Sequence, residues 1–408
     1  MTSGKNKVSV SAVAACLICM FSVGMVYLWS VFQKPVTDAC RWSASAVTMV
    51  SSAVIFMYVL GSLAGGALTD RFGPGKVAAA GGALFCAGLL ASSVTVREGM
   101  PVWSVYLTYG AVAGTGTGFT YSSALNCIQR WYPHKRGFAT GISVCAFGLS
   151  ATVTAPLITA LIDSRGLTST FRILAFTFPV LVVLASAFVK NPGREYLDGL
   201  AAGDGGEKSR QYTPKETLRT LKFWCLALSL LFLPAAYMMI IPRVKTLAVA
   251  RGLTENTATL TVALTGAASA ISRLIAAAAS DRAGRAVTIW VLTLITLAAS
   301  VCMTFARGWL YIAAVLLIVA GYSGPAGIFP AMASDSFGVK YSATNYGMAF
   351  MFLGISAPLF TVISNTVSSA GAETGNYTAA FIIAAASCAV PLIMLPVYDL
   401  AGKKRVKK

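Results

Sequence analysis

Histidine is almost missing from this chain and carboxylates are few: one His and 14 Asp or Glu stand among 408 residues. A lone His134 cannot build a histidine metal centre, and the nine cysteines do not replace one. Cys16 and Cys19 form a C-x-x-C pair inside an apolar run, with no second pair nearby, whereas zinc takes about four converging ligands. No metal and no cofactor is expected, and the cysteines read as packing residues. Charge of either sign is also scarce. Asp, Glu, Lys and Arg make up 11% of the chain, against about 25% in soluble globular domains. That shortfall excludes a soluble globular class. The short alternating strands of a membrane barrel are missing as well.

What the chain has is apolar sequence: 56% of its residues, with a mean hydropathy of +0.72. The apolar residues fall in long blocks with almost no charge, each able to cross a hydrocarbon core of about 30 Å. Backbone in hydrocarbon must satisfy its own hydrogen bonds, so the blocks are read as helices. The expected fold is an all-α membrane protein of twelve transmembrane helices, near 8–32, 44–68, 77–96, 102–128, 138–162, 172–190, 221–241, 256–280, 286–305, 309–333, 346–366 and 376–398. Val8 opens the first block directly after Lys7 with no small-residue cleavage site before a soluble domain, so that block reads as a retained helix, not a signal peptide. The run Gly114-Thr115-Gly116-Thr117-Gly118 lies inside the fourth block without a preceding strand. It reads as close helix packing, not a phosphate loop.

A net charge of +18 raises the question of nucleic acid, and placement answers it. With both termini cytoplasmic, 22 of the 32 Lys and Arg fall inside, nine outside and one, Arg273, within a span. That bias is the signature of membrane orientation. No aromatic-interleaved basic patch appears, so no nucleic-acid partner is expected. The tail Lys403-Lys404-Arg405-Val406-Lys407-Lys408 gains attraction from anionic cytoplasmic lipid. A multi-pass protein of the plasma (inner) membrane, working as a monomer, is the expected setting.

The two halves repeat. Asp70-Arg71-Phe72-Gly73 follows the second block, and Asp281-Arg282-Ala283-Gly284 follows the eighth, 211 residues later. Gly137 and Gly347, each just past a basic loop, differ by 210. Residues 1–190 and 221–408 are therefore read as six-helix bundles joined by a cytoplasmic linker at 191–220. That linker holds Gly203 to Gly206 and ends in a short helix from Thr213-Pro214.

With twelve spans and a D-R-x-G loop in both halves, the chain resembles the major facilitator superfamily over essentially its whole length. The resemblance implies two bundles rocking about a central site. It also implies a conformational latch in which Asp70, and its counterpart Asp281, hold the positive end of a neighbouring helix while Arg71 and Arg282 reach a carbonyl end.

Ionisable residues inside the spans are the natural place to look for chemistry, because charge at bilayer depth is costly. Arg273 alone lies deep. It precedes Asp281 by eight residues, or about 12 Å of helix. No carboxylate is available deep in any span, so Arg273 is read as facing a wet cavity and gripping an external anion. Its planar fork matches a carboxylate bidentately. The context of Arg273, together with Tyr27-Leu28-Trp29, Arg130-Trp131-Tyr132-Pro133 and Asn345-Tyr346-Gly347, resembles oxalate/formate antiporters and the related monocarboxylate transporters. In that family an arginine of the eighth helix grips substrate carboxylate, which the resemblance carries to Arg273. Aromatic residues walling the site correspond to Tyr27, Phe32, Tyr121, Phe147, Tyr322 and Phe350. Taken singly, each such ring is more often packing or lipid-facing.

There is one departure. Oxalate carriers of the family have a lysine on the eleventh helix about where Leu353 stands here. A dianion would strand its second carboxylate, which argues for one carboxylate with a small remainder, such as lactate or pyruvate. Proton-coupled relatives carry an aspartate one turn before the arginine, where this chain has Ser269. Proton movement would need the substrate's own proton, a polar chain such as Ser269, Asn126 and Tyr121, or water. Proton symport of a monocarboxylate is the expected function, with anion exchange of the oxalate/formate type as the alternative. A non-transporting membrane anion sensor is a remote rival, since the tails carry no output domain. An enzyme is not expected, because no span holds a nucleophile, base or metal cluster.

Overall fold

The computed structural model describes residues 8–133, 135–193, 211–374 and 377–406, and these form helices without a strand. Several sequence features fall outside them: His134, the linker glycines Gly203 to Gly206, and the last two residues of the basic tail. The helices are α1 (Val10–Val23), α2 (Trp29–Cys40), α3 (Ala44–Phe72), α4 (Pro74–Thr95), α5 (Gly114–Trp131), α6 (Arg136–Ser186), α7 (Pro214–Leu218) and α8 (Leu221–Phe232). They continue as α9 (Ala235–Ile240), α10 (Val244–Ala250), α11 (Glu255–Ala283), α12 (Arg285–Cys302), α13 (Gly308–Phe337), α14 (Ser342–Thr374), α15 (Thr378–Ser387) and α16 (Ala389–Val406). Ser9, Ser43, Thr220 and Thr254 cap α1, α3, α8 and α11, each accepting from an amide three residues on. Such caps satisfy amides that have no partner inside the helix. The short helix expected at Thr213-Pro214 is α7. Its capping box pairs the Thr213 amide with Glu216 Oε2 at 2.8 Å.

Among the described residues ten stretches are long and apolar enough to cross a membrane. One of them is α6, whose 51 residues exceed twice the length a single crossing needs. Gly166 breaks α6 with φ +74°, a left-handed conformation open to glycine, and so divides two crossings. The α5 region is not among the ten. A π-helical segment, Tyr106–Ala113, leads into it, and α5 itself carries Gly, Thr, Ser, Asn, Gln and Arg130. The sequence-expected crossings at 102–128, 138–162 and 172–190 fall on these two elements, so the helices are consistent with twelve.

By backbone proximity the chain divides into Met1–Thr217 with Ala333–Met348, and Leu218–Met332 with Ala349–Lys408. In the first unit, the glycine run of α5 is a packing device. A Cβ on Gly114 would lie 2.9 Å from the Val54 carbonyl of α3, and one on Gly116 would lie 2.6 Å from the Gly81 carbonyl of α4. Alternate glycines thus admit one neighbour on each face of α5. In the second unit, Tyr311 is fully buried and donates to the Val244 carbonyl at 2.7 Å. It sits within a core built from α9, α10, α12, α13 and α15.

The repeat is visible in the two D-R-x-G turns. Gly73 has φ +87° and donates to the Thr69 carbonyl at 3.0 Å; Gly284 has φ +95° and donates to Ser280 at 3.2 Å. Only glycine takes that φ without strain, which is why the motif ends in one.

Candidate functional site

Arg273 sits in the middle of α11 in the second unit and is 5% exposed. Ser269, one turn earlier, is half-buried and shares a 2.8 Å hydrogen bond with the buried Ser323 of α13. For a guanidinium this enclosed, surroundings of low dielectric make a charge-assisted, bidentate partner worth most. On the same unit, Tyr322 of α13 is buried and stacks on Tyr237 of α9 with centroids 4.2 Å apart. Phe350 and Leu353, on α14, are each 5% exposed.

In the first unit, Tyr121 of α5 and Phe147 of α6 meet edge to face at 5.3 Å. Tyr58 of α3 completes a three-ring cluster, 5.2 Å from Tyr121 and 5.8 Å from Phe147. Phe32 belongs elsewhere, stacked on Phe171 at 4.7 Å beside Trp29. Tyr27 lies in the 3-10 turn Gly24–Leu28, and its side chain is outside the described set.

Asp70 is at the end of α3, its side chain largely buried. Its Oδ2 accepts from the Thr344 hydroxyl at 2.8 Å and from the Thr344 amide at 3.3 Å. Thr344 is the third residue of α14, so its amide has no acceptor inside the helix, and the carboxylate meets the positive end of the helix dipole. Arg130 Nη2 lies 3.6 Å from Asp70 and donates to the Val339 carbonyl at 3.2 Å, while its Nε donates to Asn126 at 2.8 Å. Asn126 in turn donates to Ser342 at 3.2 Å, so the structure sets this residue in the Asp70–Arg130 cluster. Arg71 is not the arginine at the carbonyl end. It is exposed, with its guanidinium over Phe72, because the next position on a helix turns about 100° away from Asp70. Arg130 takes that role.

More of this cluster is invisible in the motif. Gln129 bridges Thr140 and Ser334 at 2.8 and 2.9 Å, and Arg136 pairs with Asp335 at 2.9 Å. Past the central linker, the Tyr212 amide donates to Phe337 at 2.9 Å, Lys340 donates to Gln211 at 2.9 Å, and Asn345 donates to the Tyr212 carbonyl at 3.1 Å. Asp281, in the second unit, is arranged differently: it pairs with Arg285 one turn along, and Arg282 is exposed.

The sequence profile of the Major Facilitator Superfamily matches residues 13–361. The chain belongs to that superfamily. It is therefore a multi-pass integral membrane protein of a transporter family. This superfamily member is 26% identical over 406 residues to the oxalate:formate antiporter of Oxalobacter formigenes, covering 97% of this chain and 93% of the relative. It is 29% identical over 147 residues to bovine (Bos taurus) monocarboxylate transporter 13, covering 36% and 32% of the two chains. Among solved structures, it is similar to the superfamily transporter FucP in the outward conformation, with a TM-score of 0.71 at 16% identity over 95% of this chain and 98% of that one. The proton:xylose symporter XylE follows at TM-score 0.70 and 13% identity, covering 94% of each chain. These structural likenesses speak to the fold.

Sequence reasoning missed Tyr58 and Tyr237, the partners of named aromatics, and most of the Asp70 cluster. Tyr58 and Tyr237 each stand in an apolar block, and Tyr237 follows the Pro234 bend, so a search for tyrosines within spans would have raised both. Thr344 and Val339 carry no such signal, since a hydroxyl and a carbonyl become ligands only through placement.

Proposed function

We propose that the chain moves small organic anions bearing one carboxylate, such as lactate or pyruvate, by alternating access, with Arg273 as the group that holds the carboxylate. The observation that carries this is the burial of Arg273 in the middle of a membrane-spanning helix. Desolvating a guanidinium costs several kcal/mol, and a cation kept there without a task is rare. The full-length likeness to an oxalate:formate antiporter and the partial likeness to a monocarboxylate transporter support the same substrate class.

Tyr27, Tyr121, Phe147, Tyr322 and Phe350 are proposed to wall the substrate's apolar remainder and Ser269 to supply a polar contact, while Asn126 serves the Asp70–Arg130 cluster. The working parts are the halves 1–190 and 221–408, joined by 191–220, with both termini in the cytoplasm and the protein in the inner membrane. Asp70 in one half, with Arg130 in place of Arg71 at the carbonyl end, and Asp281 and Arg282 in the other, are proposed to latch one conformation. The partly buried hydrogen bond from Thr344 to Asp70 supports the first of these. The transported acid carries its own proton in the proton-symport reading; the likeness over 97% of the chain keeps exchange of the oxalate/formate type as the second reading.

Proteoliposome uptake and counterflow with labelled lactate, pyruvate, formate and oxalate test both readings, with and without a pH gradient. Net monocarboxylate uptake driven by an acid outside is the expected result. Flux that needs an internal anion and ignores the pH gradient overturns symport in favour of exchange. No flux of any carboxylate overturns the substrate class.

A further inference from the structure

At one end of the first unit a cavity of about 490 Å³ opens between the α3–α4 turn and the residues that end and follow α6. Its lining includes Phe72, Pro74, Lys76, Ser186, Val189 and Lys190, with no carboxylate among the lining residues. Three apolar crossings end or begin at it: Met49–Phe72, Pro74–Thr95 and Arg136–Ser186. The cavity therefore lies where hydrocarbon gives way to water. Its walls are held firmly. Gly75 packs so closely that a Cβ there would come 2.8 Å from the Ser186 carbonyl and 2.9 Å from that of Val189. The Lys190 carbonyl accepts from Trp131 Nε1 at 2.9 Å and from Cys127 Sγ at 3.3 Å, which fixes the backbone from which its ammonium extends.

We propose that this cavity binds the headgroup phosphate of an anionic phospholipid. Lys76 and Lys190 pair with the phosphate, and the exposed Phe72 and Ala187 cover the first methylenes of the acyl chains. The charge and the position of the cavity both argue for this occupant. Two exposed ammoniums with no carboxylate among the described lining residues suit a phosphate, and Lys is a good point-charge partner for phosphate. An apolar wall at the hydrocarbon boundary suits a lipid and gives a water-borne phosphate nothing. The excess of Lys and Arg assigns this end to the cytoplasm, where anionic lipid draws basic groups.

Native mass spectrometry of the full-length protein, offered equal phosphatidylglycerol and phosphatidylcholine, reads the preference. Wild type is expected to retain phosphatidylglycerol about tenfold over phosphatidylcholine or better. Lys76→Gln with Lys190→Gln should bring the two lipids to parity, while Lys76→Arg with Lys190→Arg should keep the preference. Ala79→Trp, which fills the cavity and leaves both cations, should lose it. A preference unchanged in the double Gln variant, or unchanged in Ala79→Trp, overturns the proposal, because scattered surface charge would then hold the lipid. Displacement of phosphatidylglycerol by an equal concentration of soluble glycerol phosphate overturns the lipid as occupant and leaves phosphate alone.

Discussion

In the proposed function, Arg273 and Leu353 set the chemistry that the residue scale can test. Arg273 offers a planar fork of donors and Leu353 an apolar side chain, each 5% exposed. Arg273→Ala should abolish carboxylate binding. Arg273→Lys keeps the charge and loses the fork, and a charged hydrogen bond is worth about 1.5–3 kcal/mol, so affinity should fall at least about tenfold. Equilibrium binding of labelled lactate to purified variants checks this, and wild-type affinity in Arg273→Ala removes the residue from the site. In the proposed function, Leu353 decides valence. Excess oxalate should compete poorly for labelled monocarboxylate uptake in wild type and strongly in Leu353→Lys, provided the lysine stays charged on burial. Strong competition by oxalate in wild type would mean that other donors, the buried tyrosines among them, replace the lysine.

At the scale of elements, the contact between α3 and the start of α14 joins a carboxylate to a helix N-terminus. Asp70→Asn keeps the shape and removes the charge, which costs about 0.3–2 kcal/mol of helix-terminus attraction. Backbone amide exchange across Ser342 to Asn345 should speed up in that variant, and exchange at Tyr212 should speed up in Asn345→Ala, which cuts the bond to the Tyr212 carbonyl. Unchanged exchange in both would mean that backbone packing, not these side chains, holds the cluster. The α3–α5 crossing tolerates no side chain at Gly61, where a Cβ would meet the Thr115 carbonyl at 2.6 Å. Gly61→Leu should cost at least about 1–3 kcal/mol through overpacking, read as a lower Tm of the detergent-solubilised protein.

For the whole molecule, the informative feature is where cations and anchors lie along the chain. The central linker enters from Lys190, whose carbonyl is held by Trp131, and leaves at Gln211 and Tyr212, held by Lys340 and Phe337. Deleting Ala201 to Gly206 between those anchors should leave expression and size-exclusion behaviour unchanged, since the small and polar sequence there has no expected packing role. An aggregated or unexpressed deletion variant would show that the polar segment packs.

The helical class, the repeat and the buried cation were legible from sequence because each rests on a local rule. Apolar blocks must span as helices, a D-R-x-G turn must end in glycine, and a charge inside a span stands out against its neighbours. The stretch 102–128 was readable as a crossing although its glycines, hydroxyls and Arg130 dilute the apolar signal. Long-range placement was not legible. Tertiary structure decided that Arg130 and not Arg71 reaches a carbonyl, that Asn126 joins Asp70's cluster, that Tyr58 and Tyr237 complete the aromatic groups, and that Ala333–Met348 belongs with the first unit. Those outcomes depend on which faces of helices far apart in sequence come within hydrogen-bonding reach, and residue spacing along one helix carries no record of its partner.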